Sequence, residues 1–217
     1  MERDREKARQ RAKNHFETNS PLNWFEALYQ DANDNYEKVP WADLAPNPNM
    51  LEWFKNHSPK KGKTCLVIGC GYGDDAEFLT ELGYKVDAFD ISKTAIEQCN
   101  KRFPDTKTHY FAANLLEISE EKKYDFIFES YTLQAIPGDL RQKAYVKIPG
   151  LLAPQGELLI ICRARSTEEE PGQLPWPLTK EELSVFDEKL ECVEFQDFLD
   201  KNDSPPARRF MVLYRKR

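Results

Sequence analysis

The 217-residue sequence predicts an α/β fold: a doubly wound, Rossmann-like, mostly parallel seven-stranded sheet with helices on both faces and an antiparallel hairpin at the C-terminal end. Three observations carry this expectation. Short apolar runs alternate with helix-period segments from Thr64 onward. The first run ends on glycines at positions 69, 71 and 73. Two strand-like runs, Glu191–Phe198 and Arg208–Arg215, close the chain around Pro205 and Pro206.

Taken in order, residues 1–16 are nearly all helix formers, with Glu2/Arg5, Asp4/Lys7 and Glu6/Arg9 at helical spacing, which predicts a solvated helix or a lid. Leu22, Trp24, Phe25, Leu28 and Tyr29 form an apolar segment that must dock on something. Pro40, Pro46 and Pro48 forbid a regular helix there and predict an extended crossing loop, in which Trp41 is a core plug or part of a ligand wall. Met50–His57 reads as a short amphipathic helix, followed by a turn. Residues 1–57 are thus expected to be a helical arm and lid, packed on a domain at 58–217, one compact unit overall. Within that domain, Thr64–Ile68 is the first strand and Asp74–Leu82 a helix ending at Gly83. Tyr84–Phe89 is the second strand, and Ser92 caps a helix running to about Phe103. His109–Ala112, Tyr124–Phe128 and Gly156–Cys162 supply three more strands, with a helix over Asp139–Leu152 that breaks near Pro149 and another from Thr179 to about Leu190.

Composition narrows the function classes. A net charge of −6 and a pI near 5.3 argue against a nucleic-acid partner, which needs a basic face. The five cysteines are odd in number and lack a Cys-x-x-Cys pair, which predicts neither a disulfide framework nor a metal cluster. The charged start and the absence of any 18-residue apolar run predict no membrane span and a cytoplasmic setting. A monomer or weak homodimer is expected.

In open α/β sheets ligands lie beyond the carboxyl ends of the strands. Here those positions hold Gly69–Gly73, Asp90, Asn114 with Leu115, Glu129–Thr132 and Arg163–Arg165. Asp90 follows Gly69 by twenty-one positions, a spacing that suits a carboxylate accepting two ribose hydroxyls. Asp74 and Asp75 then open the next helix, where a pyrophosphate would be repelled. A cationic, phosphate-free nucleoside such as S-adenosylmethionine would not be.

The sequence resembles class I S-adenosylmethionine-dependent methyltransferases over about Trp24–Cys162, and within them the thiopurine, thiol and halide methyltransferase group. Pro40-Trp41 with Asp43, Val-Ile-Gly-Cys-Gly-Tyr-Gly at 67–73, Phe-Asp-Ile-Ser-Lys-Thr-Ala-Ile at 89–96 and Tyr-Asp-Phe-Ile-Phe-Glu-Ser-Tyr-Thr-Leu-Gln-Ala-Ile-Pro at 124–137 carry the likeness. Val67 stands where many methyltransferases have an acid, a departure that this narrower group shares. The resemblance implies that Gly69, Cys70, Gly71 and Gly73 line the methionine moiety of the donor. Asp90 would hold the ribose, Ile91 pack on adenine, Asn114 and Leu115 meet the adenine edge, and Trp41 cover the donor. Glu129 would face the methionine ammonium or the transferred methyl, and Tyr131 and Thr132 the acceptor; Glu129 and Tyr131 are the expected catalytic residues.

The acceptor is less explicit. His15, His57 and His109 have no claim to base catalysis by position, and no metal is expected. A missing base favours a small molecule with a soft nucleophile, since a thiol with a pKa of about 8.5 is already a few per cent thiolate near neutrality. Glu129 would weaken that argument if it served as a base. Glu-Ser-Tyr-Thr at 129–132 disfavours adenine amino methylation. Arg163 and Arg165 are candidates for an acceptor carboxylate and Trp176 for a pocket wall, while the basic residues from Arg208 to Arg217 read as a weak patch for anions or, without any ligand, as charge guarding an edge strand. Methylation of another O, N or carboxylate acceptor, or a non-catalytic module binding the same nucleoside, is the alternative.

Overall fold

Each apolar run that alternates with helical pattern becomes a strand in the computed structural model, which describes residues 2–16, 18, 20–201, 203 and 205–217, with side chains from residue 5 onward. The strands are β1 (Thr64–Ile68), β2 (Lys85–Asp90), β3 (His109–Ala112), β4 (Tyr124–Ser130), β5 (Leu152–Arg163), β6 (Leu190–Asp200) and β7 (Ala207–Lys216). They form one mixed sheet in the order β3-β2-β1-β4-β5-β7-β6. β2 runs parallel to β3, and β4 runs parallel to both β1 and β5. β7 is antiparallel to β5 and β6, as expected for the terminal hairpin. By internal contacts the chain divides into two compact units, residues 1–62 with 69–117 and residues 63–68 with 118–217.

The first unit holds helices α1 (Glu2–Phe16), α2 (Trp24–Ala32), α3 (Pro48–Asn56), α4 (Asp74–Glu81) and α5 (Lys93–Arg102) with β2 and β3. The aromatic docking segment is itself helical, α2, burying Trp24, Leu28, Tyr29 and Ala32. Glu26 fastens it to α5: its carboxylate accepts from the hydroxyls of Ser92 and Thr94 and from the Thr94 N–H. Arg11 in turn ties α1 to α2 through the Ala27 carbonyl and Asp31. The pairs Glu2/Arg5 and Asp4/Lys7 lie outside the described side chains. The proline-rich stretch contains only a 3₁₀ turn, Tyr36–Lys38, and ends where Pro48 takes the first position of α3, a place where its missing N–H costs nothing.

In the second unit, β4 and the Gly156–Cys162 stretch of β5 are almost wholly buried, as strands covered on both faces must be. Helix α6 (Gly138–Leu151) continues through Pro149 instead of breaking there; the proline falls in the last turn, and β5 begins at once with Leu152. The helix expected from Thr179 to Leu190 is shorter, α7 (Lys180–Leu183) followed by a 3₁₀ stretch, Ser184–Glu188. Thr179 and Glu182 form a capping box that starts it.

Candidate functional site

The glycine loop is shaped by backbone, not by side chains. Gly69, Gly71 and Gly73 have φ of 64°, 54° and 91°, a region that other residues enter only with strain. The loop is fastened to the end of β2: the Cys70 N–H donates to the Phe89 carbonyl at 2.9 Å and the Gly71 N–H to Asp90 Oδ2 at 3.0 Å. Asp90 Oδ1 accepts from the Ser92 N–H at 2.9 Å. Each carboxylate oxygen therefore keeps acceptor capacity for a further donor. Burial pushes the Asp90 carboxyl up to about 6, against the pull of the N–H groups of Ser92 and Gly71.

Around the loop stands an aromatic wall built from α2 and the segments that follow it. Tyr29 and Tyr36 meet Tyr72 edge-on with centroids 5.1 and 4.8 Å away. Trp41, 38% exposed, leans on Trp24, Phe25 and Tyr29, and its indole N–H donates to the Tyr29 hydroxyl at 2.8 Å. A Cβ at Gly71 would lie 3.2 Å from that hydroxyl. Asn114 turns its side-chain oxygen to the Leu116 N–H at 3.0 Å, Leu115 is buried and Ile91 half-buried. The residues expected on the nucleoside side, Glu129 apart, thus all belong to the first unit. Asp74 is not the bare charge that the sequence suggested. Arg102 holds both its oxygens at 2.8 Å, which cancels most of the repulsion argued against phosphate.

The second unit carries the other candidates. Glu129 is fully buried; Oε1 accepts from the N–H groups of Thr132 and Leu133 at 2.7 and 2.9 Å. Its Oε2 has no hydrogen-bond partner among the described residues. Burial raises this carboxyl to about 7, with the two N–H donors and the Arg141 charge pulling the other way. Tyr131 adopts a φ of 61°, rare for an aromatic residue, and its N–H donates to the Ile161 carbonyl. The Thr132 hydroxyl donates to the Ile68 carbonyl at 3.2 Å.

Buried Gln134, which the sequence did not single out, links two of these pieces. Its side-chain oxygen accepts the Arg163 N–H at 2.7 Å and its carbonyl accepts the Trp176 N–H at 2.8 Å. Arg141 lies over the Trp176 ring at 5.8 Å, and Glu182 bridges Arg141 and Arg165. Arg165 also donates to the carbonyls of Pro177 and Glu169, so it holds the insertion in place and has little left for a ligand carboxylate. Tyr29 and Tyr72 were likewise unforeseen; the signal available was their helical or loop position beside Trp24 and Gly71.

The histidines are engaged elsewhere. His57 stacks on Trp53, His15 contacts the Arg11 carbonyl, and His109 stacks on Phe111 near Asp87. Among the described residues no group of three His, Cys, Asp or Glu side chains is arranged to hold a metal ion, and no helix is long and apolar enough to cross a membrane.

Comparison with known proteins adds to this geometry. The family model for thiopurine S-methyltransferase matches residues 31–211. The chain is 28% identical over 168 residues to the probable thiol methyltransferase 2 of Arabidopsis thaliana, covering 70% of this chain and 73% of that protein. It is 23% identical over 185 residues to the thiopurine S-methyltransferase of Vibrio vulnificus, covering 75% and 82% respectively. Its fold is similar to the crystal structure of the 1,6-didemethyltoxoflavin-N1-methyltransferase of Burkholderia thailandensis with bound 1,6-didemethyltoxoflavin and S-adenosylhomocysteine, with a TM-score of 0.70 at 19% identity, over 92% of this chain and 91% of that one.

Proposed function

Because the chain belongs to the thiopurine S-methyltransferase family and is an S-adenosylmethionine-dependent methyltransferase of the kind that acts on small molecules, we propose that it methylates the thiol of a small molecule. The donor site of this proposal is Gly69, Cys70, Gly71 and Gly73 with Asp90, Ile91, Asn114, Leu115 and Trp41. The residues fit such a ligand: the glycine loop presents main chain with no Cβ at Gly69, Gly71 or Gly73, and Asp90 retains acceptor capacity for two hydroxyls. When bound, S-adenosylmethionine supplies a methyl group on a sulfonium. Residues 1–57 are assigned as an arm that covers the donor and keeps water from it, a role supported by the Glu26 clasp on α5 and the Trp41–Tyr29 hydrogen bond. Residues 58–217 are assigned as the donor-binding domain.

The thiol reading is supported by the thiopurine S-methyltransferase family match and the thiol methyltransferase relative, and Glu129 supplies a base compatible with it. A carboxyl with a pKa near 7 is matched to a thiol of pKa about 8.5 and poorly matched to an alcohol. In this reading the thiol proton passes to Oε2, the oxygen left without a partner, and the thiolate is the nucleophile. Glu129 is assigned also to the donor's ammonium end, Tyr131 is the second catalytic candidate, and Thr132, Arg163 and Trp176 join Tyr131 in holding the acceptor. Calorimetry with S-adenosylhomocysteine, then methyl transfer to thiols, halides, carboxylates and amines, tests it. Turnover on thiols with rates rising through pH 7 is expected. Turnover confined to amines or carboxylates would sink the thiol assignment, and binding without any turnover would sink small-molecule catalysis altogether.

A further inference from the structure

Arg209 on β7 shares strand parity with Met211 and Leu213 and is only 4% exposed. A guanidinium so far from water needs partners. Nη2 is paired with Asp203, and Asp200 lies 3.7 Å from Nε; the first lies in the β6–β7 turn and the second ends β6. Nε and Nη1 nevertheless have no hydrogen-bond partner among the described residues. What the guanidinium meets instead is the Tyr131 ring, with its central carbon 5.1 Å from the centroid, within the range of a cation–π contact. Tyr131 is the residue held at a φ of 61°, and a backbone in that region persists only where surrounding contacts enforce it. The Tyr131 N–H bond to Ile161 fixes the main chain on one side; Arg209 bears on the ring.

We propose that Arg209 is a positioning residue of the methyl transfer: the C-terminal hairpin, through Asp200, Asp203 and Arg209, holds the Tyr131 ring in place and so sets how tightly the acceptor is held. The proposal rests on the assignment of Tyr131 to the acceptor made above. Arginine suits the task because its planar group stacks on a ring while its edge stays paired with carboxylates.

The test uses the full chain labelled with 3-fluorotyrosine, the Tyr131 fluorine resonance being identified by its loss in Tyr131→Phe, and thiophenol as the acceptor probe. Arg209→Met is expected to move or broaden that resonance and to raise the thiophenol KM about fivefold, with kcat within about twofold and S-adenosylhomocysteine affinity unchanged. Arg209→Lys should recover part of both. Should Arg209→Met fail to fold, Asp203→Asn, which loosens the guanidinium from its more exposed side, is expected to give the same changes at about half the size. In a Tyr131→Ala background the Arg209 effect on KM should vanish. An effect that persists undiminished there, or a Tyr131 resonance that none of these changes moves, overturns the proposal. A resonance that responds to Arg209→Met in an enzyme inert toward thiophenol but active on another acceptor class overturns the thiol reading, and the Arg209 role then stands or falls on the KM for that acceptor.

Discussion

Two stretches of the candidate site hold backbone at positive φ, and they do so by different means. In the loop at 69–73 three glycines take that conformation without penalty. At Tyr131 an aromatic residue is held there at a cost of about 1–3 kcal/mol, against contacts supplied by Ile161 and Arg209. The first arrangement is written into consecutive residues. The second depends on a strand that arrives nearly eighty residues later, so it is exposed to changes far away in sequence. Under the proposed assignment, a loop made of main chain tolerates drift elsewhere, whereas a wall made of side chains can be retuned from the hairpin or the insertion.

The sharpest way to break this contrast is Gly73→Ala. At a φ of 91° the added Cβ would stand 2.5 Å from the Tyr110 hydroxyl and 3.2 Å from the Cys99 sulfur. S-adenosylhomocysteine binding by calorimetry should fall by about a hundredfold or more, and retention within tenfold would remove the loop from the donor site. Asp90→Ala loses the carboxylate that pins the Gly71 N–H as well as the acceptor for hydroxyls. At least about tenfold weaker donor binding is expected; unchanged affinity would undo the assignment.

Glu129→Gln sharpens the other side. The rate of the native enzyme should rise as Glu129 ionises through about pH 7, and the glutamine variant should be slower by about tenfold and flat over that range. The stability change carries its own sign. The folded pKa is raised from an ordinary 4.5 to about 7 by burial, so the native state keeps this proton longer than the unfolded one. The stabilising contribution is complete below pH 4.5 and is lost as pH rises through 7. Differential melting, variant minus native, should therefore grow from about pH 5 to about pH 8; a constant difference would contradict the assigned burial effect. Trp176→Ala is the smallest of the set: an acceptor KM raised by about threefold with donor affinity unchanged. A change in donor affinity instead would move Trp176 out of the acceptor group.

Much of the fold was legible because its signals are local. Apolar runs of strand length, the Ser92 cap and the proline boundary at α3 all act within a few residues. The glycine loop and Asp90 were legible for the same reason. The ion pair of Asp74 with Arg102 was not legible, because Arg102 lies at the far end of α5, where nothing in the local sequence announces it. Trp41 offers two readings from sequence, core plug or ligand wall, and its bond to the Tyr29 hydroxyl is a contact that the local sequence does not announce. Arg209 sat among five basic residues near the terminus and was grouped with them as surface charge. Its parity with Met211 and Leu213, opposite to that of Arg208, was the available sign that it points elsewhere.

The two oxygens of Glu129 carry a last consequence. In water a carboxylic acid has two interchangeable seats for its proton. Here one seat is taken by a pair of main-chain donors, and only Oε2 can carry the hydrogen. The acid form is thereby confined to the tautomer with its hydrogen on Oε2, directed away from the two main-chain donors.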